Sequence, residues 1–482
     1  MSVRRGLAWM SLSQGGFFVI QFGGSVILAR LLTPYELGVY AVAAAVIGVI
    51  GAVQAFGLAG FVVREHELSP DLLASTFTIN ACLAAMLAAA IVGLSSVSSS
   101  FLRETGVRNV MMVLATLPLL GAFEFLPSTN LERRGRFELI SLVSLMRALS
   151  ATAVTVGLAF CGFSFMSIAY GNVAGAVVSI VLFNTLGRQH VSFRLSLSEW
   201  RRVTKFGLQM VAISGVNALG GRAAELVMGR LLGLSALGLY ARASSLNSLL
   251  WDNIHLVIGR VVFVDFADLR RKGVSLHDSY LRTVDVVTAV LWPAFAGFAI
   301  LSGPLIETVY GDKWVGAAQP LSLLSVAAIV LVSITMTWEV FVVCGETGRQ
   351  ARFEVFRAGA GLALFSIGCT VGLVGAATAR IGEAILSLFL YRPHLERLTE
   401  TRLREFLPIY ARSAALTLIA VAPATALMVL RGWSEHTPLL SVLTAIGAGI
   451  AGWLLALRWL RHPLQSELTR LAGSFRTLRQ AS

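Results

Sequence analysis

Nine ionisable side chains in the long apolar stretches of this sequence stand out as needing a reason, and their types point to a site for charged or polar cargo. Arg147, Arg222, Arg242 and Arg260 are the cations; Glu124, Glu225, Asp252, Glu339 and Glu383 are the acids. Each is costly if it faces hydrocarbon, so each is expected to point into the interior of a bundle. Arg222 and Glu225 are three residues apart on one helix and share a face. Arg242, about a turn and a half into the next stretch, lies at a similar depth. Glu124 and Arg147 are at comparable depth on successive stretches, where a charge pair joining two helices is the alternative to a ligand site. Arg260 and Glu339 lie near inner ends, from which they can snorkel to water.

A guanidinium in a low-dielectric cleft offers a rigid fork to phosphate oxygens. Arg222, Arg242 and Arg147, with Arg30 and Arg230 at the ends of the first and seventh stretches, are therefore the candidate substrate-binding residues. Asp252, beside Asn253 in mid-stretch, is the candidate site for a coupling ion or proton, with Glu225 and Glu124 as further cavity acids. Asn80, Asn217, Asn247, Gln14, Gln21 and Tyr240 add amides and a phenol within the apolar stretches, suited to sugar hydroxyls or to hydrogen bonds between helices. No catalytic set is expected. There is no P-loop, GxSxG or HExxH motif, the seven histidines are scattered, and the GDKW of residues 311–314 lacks the glycines of a phosphate cradle. The four cysteines show no CxxC spacing, so no zinc site, disulfide framework or other cofactor is expected. Uphill transport would then draw on an ion gradient or on consumption of the product outside.

The elements that must carry these residues follow from composition. Hydrophobic residues make up 56% and charged residues 13% of the chain, against about a quarter charged in soluble domains. The expected class is an all-α polytopic membrane protein. Apolar runs able to cross a bilayer fall at 7–32, 38–62, 72–97, 109–131, 139–161 and 165–187, then at 204–232, 237–263, 279–303, 315–343, 352–373 and 375–392, and finally at 407–431 and 438–460, about fourteen helices. The run after Arg4 and Arg5 is too long for a signal peptide and lacks a cleavage site, so it is expected to remain as the first helix.

One sequence occurs twice. Residues 29–41 read ARLLTPYELGVYA and residues 229–241 read GRLLGLSALGLYA, with Arg, Leu-Leu, Leu-Gly, Tyr and Ala in register. Each copy suits the outer corner of a helical hairpin, and the constant offset implies two homologous halves. The expected organisation is two pseudo-symmetric six-helix lobes, 1–195 and 196–395, helices thirteen and fourteen at 396–462, and an amphipathic basic tail at 463–482. Lysine and arginine concentrate on one set of links, which places both termini in the cytoplasm. The net charge of +13 is therefore assigned to anionic inner-leaflet lipids rather than to nucleic acid.

RLLTPYELGVYAVA at 30–43, the P-x-x-x-L-E-R-x-x-R-F run from Pro127 to Phe137, GRLLGLSALGLYARA in the second half and YGDKW before the tenth helix together resemble the polysaccharide-transporter branch of the multidrug/oligosaccharidyl-lipid/polysaccharide (MOP) flippase superfamily, which includes the Wzx and colanic-acid-type flippases. The resemblance implies a V-shaped pair of lobes working by alternating access in the bacterial inner membrane. It implies a polyprenyl-diphosphate-linked oligosaccharide as cargo for lipopolysaccharide, capsule or exopolysaccharide synthesis, with a polysaccharide polymerase and export machinery as protein partners. The near balance of cations and acids departs from the cationic cavity usual in that family. An ion-coupled drug exporter of the same superfamily and a membrane polymerase or glycosyltransferase are the alternatives. The arginines argue against the first, and the short outer links against the second.

Overall fold

In this computed structural model the described residues are 3–51, 58, 61–62, 69–102, 104–187, 193–204, 222–460 and 462–464. Among them there is no β-strand, and ten helices are long and apolar enough to cross a membrane. Two shorter apolar helices, Gly15–Leu31 and Pro34–Val49, accompany them. Helices of this kind satisfy every internal backbone group themselves, the condition for residing in lipid. Large apolar side chains accordingly remain on the outside, Phe160, Val371, Phe389, Leu418 and Leu430 among them. The proposed basic tail beyond residue 464 lies outside the described residues.

The chain divides into two compact units, Met1–Gly238 and Leu239–Ser482. The first contains α1 (Val3–Leu31), α2 (Pro34–Gly51), α3 (Pro70–Leu102), α4 (Thr105–Leu114), α5 (Thr116–Arg133), α6 (Phe137–Phe160) and α7 (Met166–Leu186), then α8 at residues 222–231. Helices α6 and α7 form a tight hairpin; α1 packs on α6, α3 on α5, and α5 on α7. Small residues set that closeness: a Cβ on Gly175 would lie 2.9 Å from both the Ala151 Cβ and the Arg147 carbonyl oxygen. Without a hydrophobic force between helices in lipid, such close approach is what holds them together.

The first copy of the repeated corner is a reciprocal helix cap. The Thr33 N–H donates to Glu36 Oε2 at 2.7 Å, and the Glu36 N–H donates to Thr33 Oγ1 at 3.3 Å. This is the Ser/Thr-x-x-Glu arrangement, with Pro34 in the first turn where its missing N–H costs nothing. The second copy has no such pair and turns instead through Gly233 at φ +86° into α9 (Leu234–Arg271). The two corners then meet. A Cβ on Gly38 would lie 1.9 Å from the Leu234 carbonyl oxygen, and one on Gly238 would lie 1.9 Å from the Pro34 carbonyl oxygen. Pro34 and Leu234 are corresponding positions of the repeat, as are Gly38 and Gly238. One contact therefore occurs twice about a local two-fold, and only glycine fits either place.

The second unit continues α9 and adds α10 (His277–Ile300), α11 (Ser302–Tyr310), a 3-10 turn at Asp312–Ala317, α12 (Ala318–Val332), α13 (Thr337–Val343), α14 (Thr347–Val371), α15 (Leu373–Thr399), α16 (Leu403–Leu430) and α17 (Leu439–Trp459). Its core is built on α10, where Tyr280, Val284, Val287, Leu291 and Phe295 pack with Val332, Val340, Phe341, Tyr391 and Phe406. The tenth expected span is broken between α12 and α13, with Met336 at φ 60°. Protein donors bond carbonyls freed there: Tyr410 Oη donates to the Ser333 oxygen at 2.7 Å and Tyr280 Oη to the Thr335 oxygen at 3.4 Å. Gly372, at φ 122°, is the single residue between α14 and α15.

Helices α16 and α17 belong to the second unit through a buried charge. Asp285 on α10 bonds His462 Nε2 at 3.0 Å through one carboxylate oxygen and Arg412 at 3.1 Å through the other. Trp453 donates to the Ala289 carbonyl at 3.0 Å one turn further along.

Candidate functional site

In the first unit two arginines are each held lightly by one acid. Arg147 on α6 donates through Nη1 to both oxygens of Glu124 on α5, at 3.4 Å. Arg222 does the same with Glu225, at 3.4 and 3.2 Å. Their side chains remain 46% and 45% exposed. Long, one-nitrogen contacts leave most of each fork available, unlike the 2.6 Å bridges of the second unit. Gly48 is part of this arrangement: a Cβ there would meet Arg222 Nε at 2.7 Å, so α2 is flat where the guanidinium crosses it. Arg30 and Arg230, at the ends of α1 and α8, are exposed.

Arg242 is in a different setting. It is 6% exposed, and its guanidinium carbon lies 4.8 Å from the Tyr310 ring centroid and 5.0 Å from that of Trp314. The YGDKW segment thus places two rings against a cation from α9, an attraction of about 2 kcal/mol when desolvated. Helix α9 carries Asp252, but its side chain, like those of Asn253, His255 and Arg260, lies outside the described ones, as do those of Gln14 and Asn217. Gln21 is exposed, and Asn247 accepts from the Ser325 hydroxyl at 3.4 Å.

The repeated tyrosines show how the two units diverge. Tyr40 accepts from the Asn172 amide on α7 at 3.0 Å, whereas Tyr240 accepts from Arg380 Nε on α15 at 3.0 Å. From Tyr240 a ladder crosses the second unit. Arg380 pairs with Glu383 at 2.6 Å, Glu383 with Arg357 at 2.6 Å and Arg357 with Glu354 at 2.7 Å, and Glu354 accepts from Tyr391 Oη at 2.8 Å. Arg357 and Arg380 are not among the candidate residues drawn from the sequence, yet both lie well inside α14 and α15. The available signal was the spacing itself, since Glu354/Arg357 and Arg380/Glu383 are both three apart on successive helices. Asp285 also went unnoticed, because its partners Arg412 and His462 are far away in sequence.

In the second unit Glu307, Asp312 and His436 bring one donor atom each within 4.8 Å of one another, the last two exposed. His436 Nδ1 is 3.7 Å from Glu307. This open set of three is an ordinary surface cluster.

Residues 27–319 match the family described as polysaccharide biosynthesis protein. The succinoglycan biosynthesis transport protein ExoT of Rhizobium meliloti is 24% identical over 331 residues, covering 68% of this chain and 67% of that protein. The lipopolysaccharide biosynthesis protein WzxC of Escherichia coli is 24% identical over 309 residues, covering 63% of this chain and 62% of its own. In fold, the chain is similar to the lipid II flippase MurJ in an inward closed conformation, with a TM-score of 0.77 at 12% identity over 94% of this chain and 98% of that one. It is also similar to an inward-facing multidrug resistance MATE family transporter of the MOP superfamily, with a TM-score of 0.62 at 14% identity over 80% and 96% of the two chains.

Proposed function

Because the chain belongs to the polysaccharide biosynthesis protein family, we propose that it is a flippase, moving a polyprenyl-diphosphate-linked oligosaccharide from the inner to the outer leaflet of the bacterial inner membrane by alternating access. The relatives' roles in succinoglycan transport and lipopolysaccharide biosynthesis support that class of cargo. Both termini are cytoplasmic in this reading, and direction comes from an ion gradient or from consumption of the product outside by a polymerase.

The observation that carries the proposal is the pair of half-open arginines in the first unit. A diphosphate needs cations that are fixed in place yet not neutralised. Arg147 and Arg222 meet both conditions, because each acid holds its arginine by one nitrogen and leaves the rest of the fork for phosphate oxygens. Arg30 and Arg230 extend the positive surface towards the outer corner. Arg242, in the second unit, anchors the segment that carries Tyr310 and Trp314. Glu225 and Glu124 act as counter-charges that hold the arginines when no cargo is bound, and Asp252 is the residue assigned to coupling. A cation-coupled drug exporter would place acids, not arginines, in the open positions.

The test is the amount of surface polysaccharide in cells carrying Arg147→Ala with Arg222→Ala at wild-type protein level. Polymer should be lost in the double alanine variant and partly restored by the double lysine variant, which keeps charge and loses the fork. Normal polymer from the double alanine variant would refute the assignment.

A further inference from the structure

The second unit holds a cavity of about 290 Å³ beside the break between α12 and α13. It lies at the small end of ligand pockets, which run from roughly 300 Å³ upwards. Its walls mix two indoles, Trp251 and Trp338, with Glu339, Glu354, Gln350 and Tyr391. Trp338 stacks on Phe263 at 5.6 Å between centroids, so one wall is a fixed aromatic surface. Thr335, only 2% exposed, also lines the cavity, and its hydroxyl oxygen has no hydrogen-bond partner among the described residues. A buried polar atom left in this way usually serves a ligand or an ordered water.

Charge excludes a phosphate here. Arg357 is the cation of the lining, and its guanidinium is already committed to Glu354 and Glu383. No described residue of the lining therefore offers an open guanidinium or ammonium to a diphosphate. Shape excludes a bare metal ion, which requires a cage of oxygens rather than indole walls. What remains is a neutral ligand with apolar ring faces and many hydroxyls. Sugar C–H faces stack on indole, carboxylate and amide oxygens accept from hydroxyl groups, and the threonine hydroxyl accepts or donates.

We propose that this cavity binds one hexosyl residue of the cargo's oligosaccharide. The assignment rests on the flippase reading above.

The experiment uses the full chain in lipid nanodiscs and two probes, polyprenyl diphosphate without sugar and the glycosylated polyprenyl diphosphate purified from producing cells. Wild type should bind the glycosylated probe more tightly. Glu339→Gln, nearly isosteric, and Trp338→Ala, at an exposed position, should each remove about tenfold of affinity for that probe, equivalent to 1.4 kcal/mol, and leave the bare probe unchanged. Retention of the sugar preference by both variants, or an equal loss for both probes, overturns the proposal. Equal binding of the two probes by wild type overturns it while leaving the flippase reading intact. Binding of neither probe by wild type overturns both.

Discussion

Replacing Gly38 by alanine tests the packing of the repeated corner most directly. The added Cβ would lie 1.9 Å from the Leu234 carbonyl oxygen and 2.6 Å from its carbon, where close C–H to oxygen contacts settle at about 3.3 Å. The two helix starts must separate by roughly 1.4 Å to admit it, and overpacking of that size typically costs about 1–3 kcal/mol. Opposing this is the better helix propensity of alanine, worth about 0.5–1 kcal/mol at a mid-helix position. The net expectation is a loss of about 1–2 kcal/mol. A Cβ on Gly238 would also lie 3.2 Å from the Gly38 nitrogen, so the two sites are adjacent and one separation accommodates both. The double alanine variant should therefore cost much less than the sum of the singles, a coupling that distant sites do not show. Gly23→Ala is the control, because nothing lies within 4 Å of its Cβ; it should be neutral or slightly stabilising. Thermal unfolding of the purified variants in nanodiscs measures all four. A Gly38→Ala variant as stable as Gly23→Ala, or strictly additive singles, would show that the reciprocal contact does not hold the corner.

Gly48→Val should reduce surface polymer as Arg222→Ala does, because the new side chain occupies the path of the guanidinium, and a normal polymer level would separate Gly48 from function. Asp285→Ala leaves Arg412 and a fully buried His462 without their shared partner and should destabilise the second unit by about 3–5 kcal/mol, read from unfolding in denaturant. Glu383→Gln weakens the bridge between Arg357 and Arg380; with those cations about a third exposed, the expected cost is smaller, about 1–3 kcal/mol by thermal unfolding. Asp252→Asn should abolish gradient-driven transport in vesicles and preserve binding of the glycosylated probe, and full transport would remove Asp252 from the coupling role.

The class of molecule was legible in the sequence because lipid imposes a simple rule: long apolar runs become helices, and charges within them must be accounted for. The corner at Thr33 to Glu36 was equally local, since a capping box and a proline in the first turn act within four residues. Register between the halves was legible too, as a duplicated corner at a constant offset. Partnership was not. Glu124 with Arg147 was foreseeable from depth alone, but Asp285 draws its partners from more than a hundred residues away, and nothing in the apolar pattern joins Arg357 on α14 to Glu383 on α15. The sequence contains Gly38 and Gly238 as two small residues in two helices. Only the folded chain brings each against the other copy's carbonyl, because close packing depends on which backbones approach, and that is decided jointly by all the helices around them.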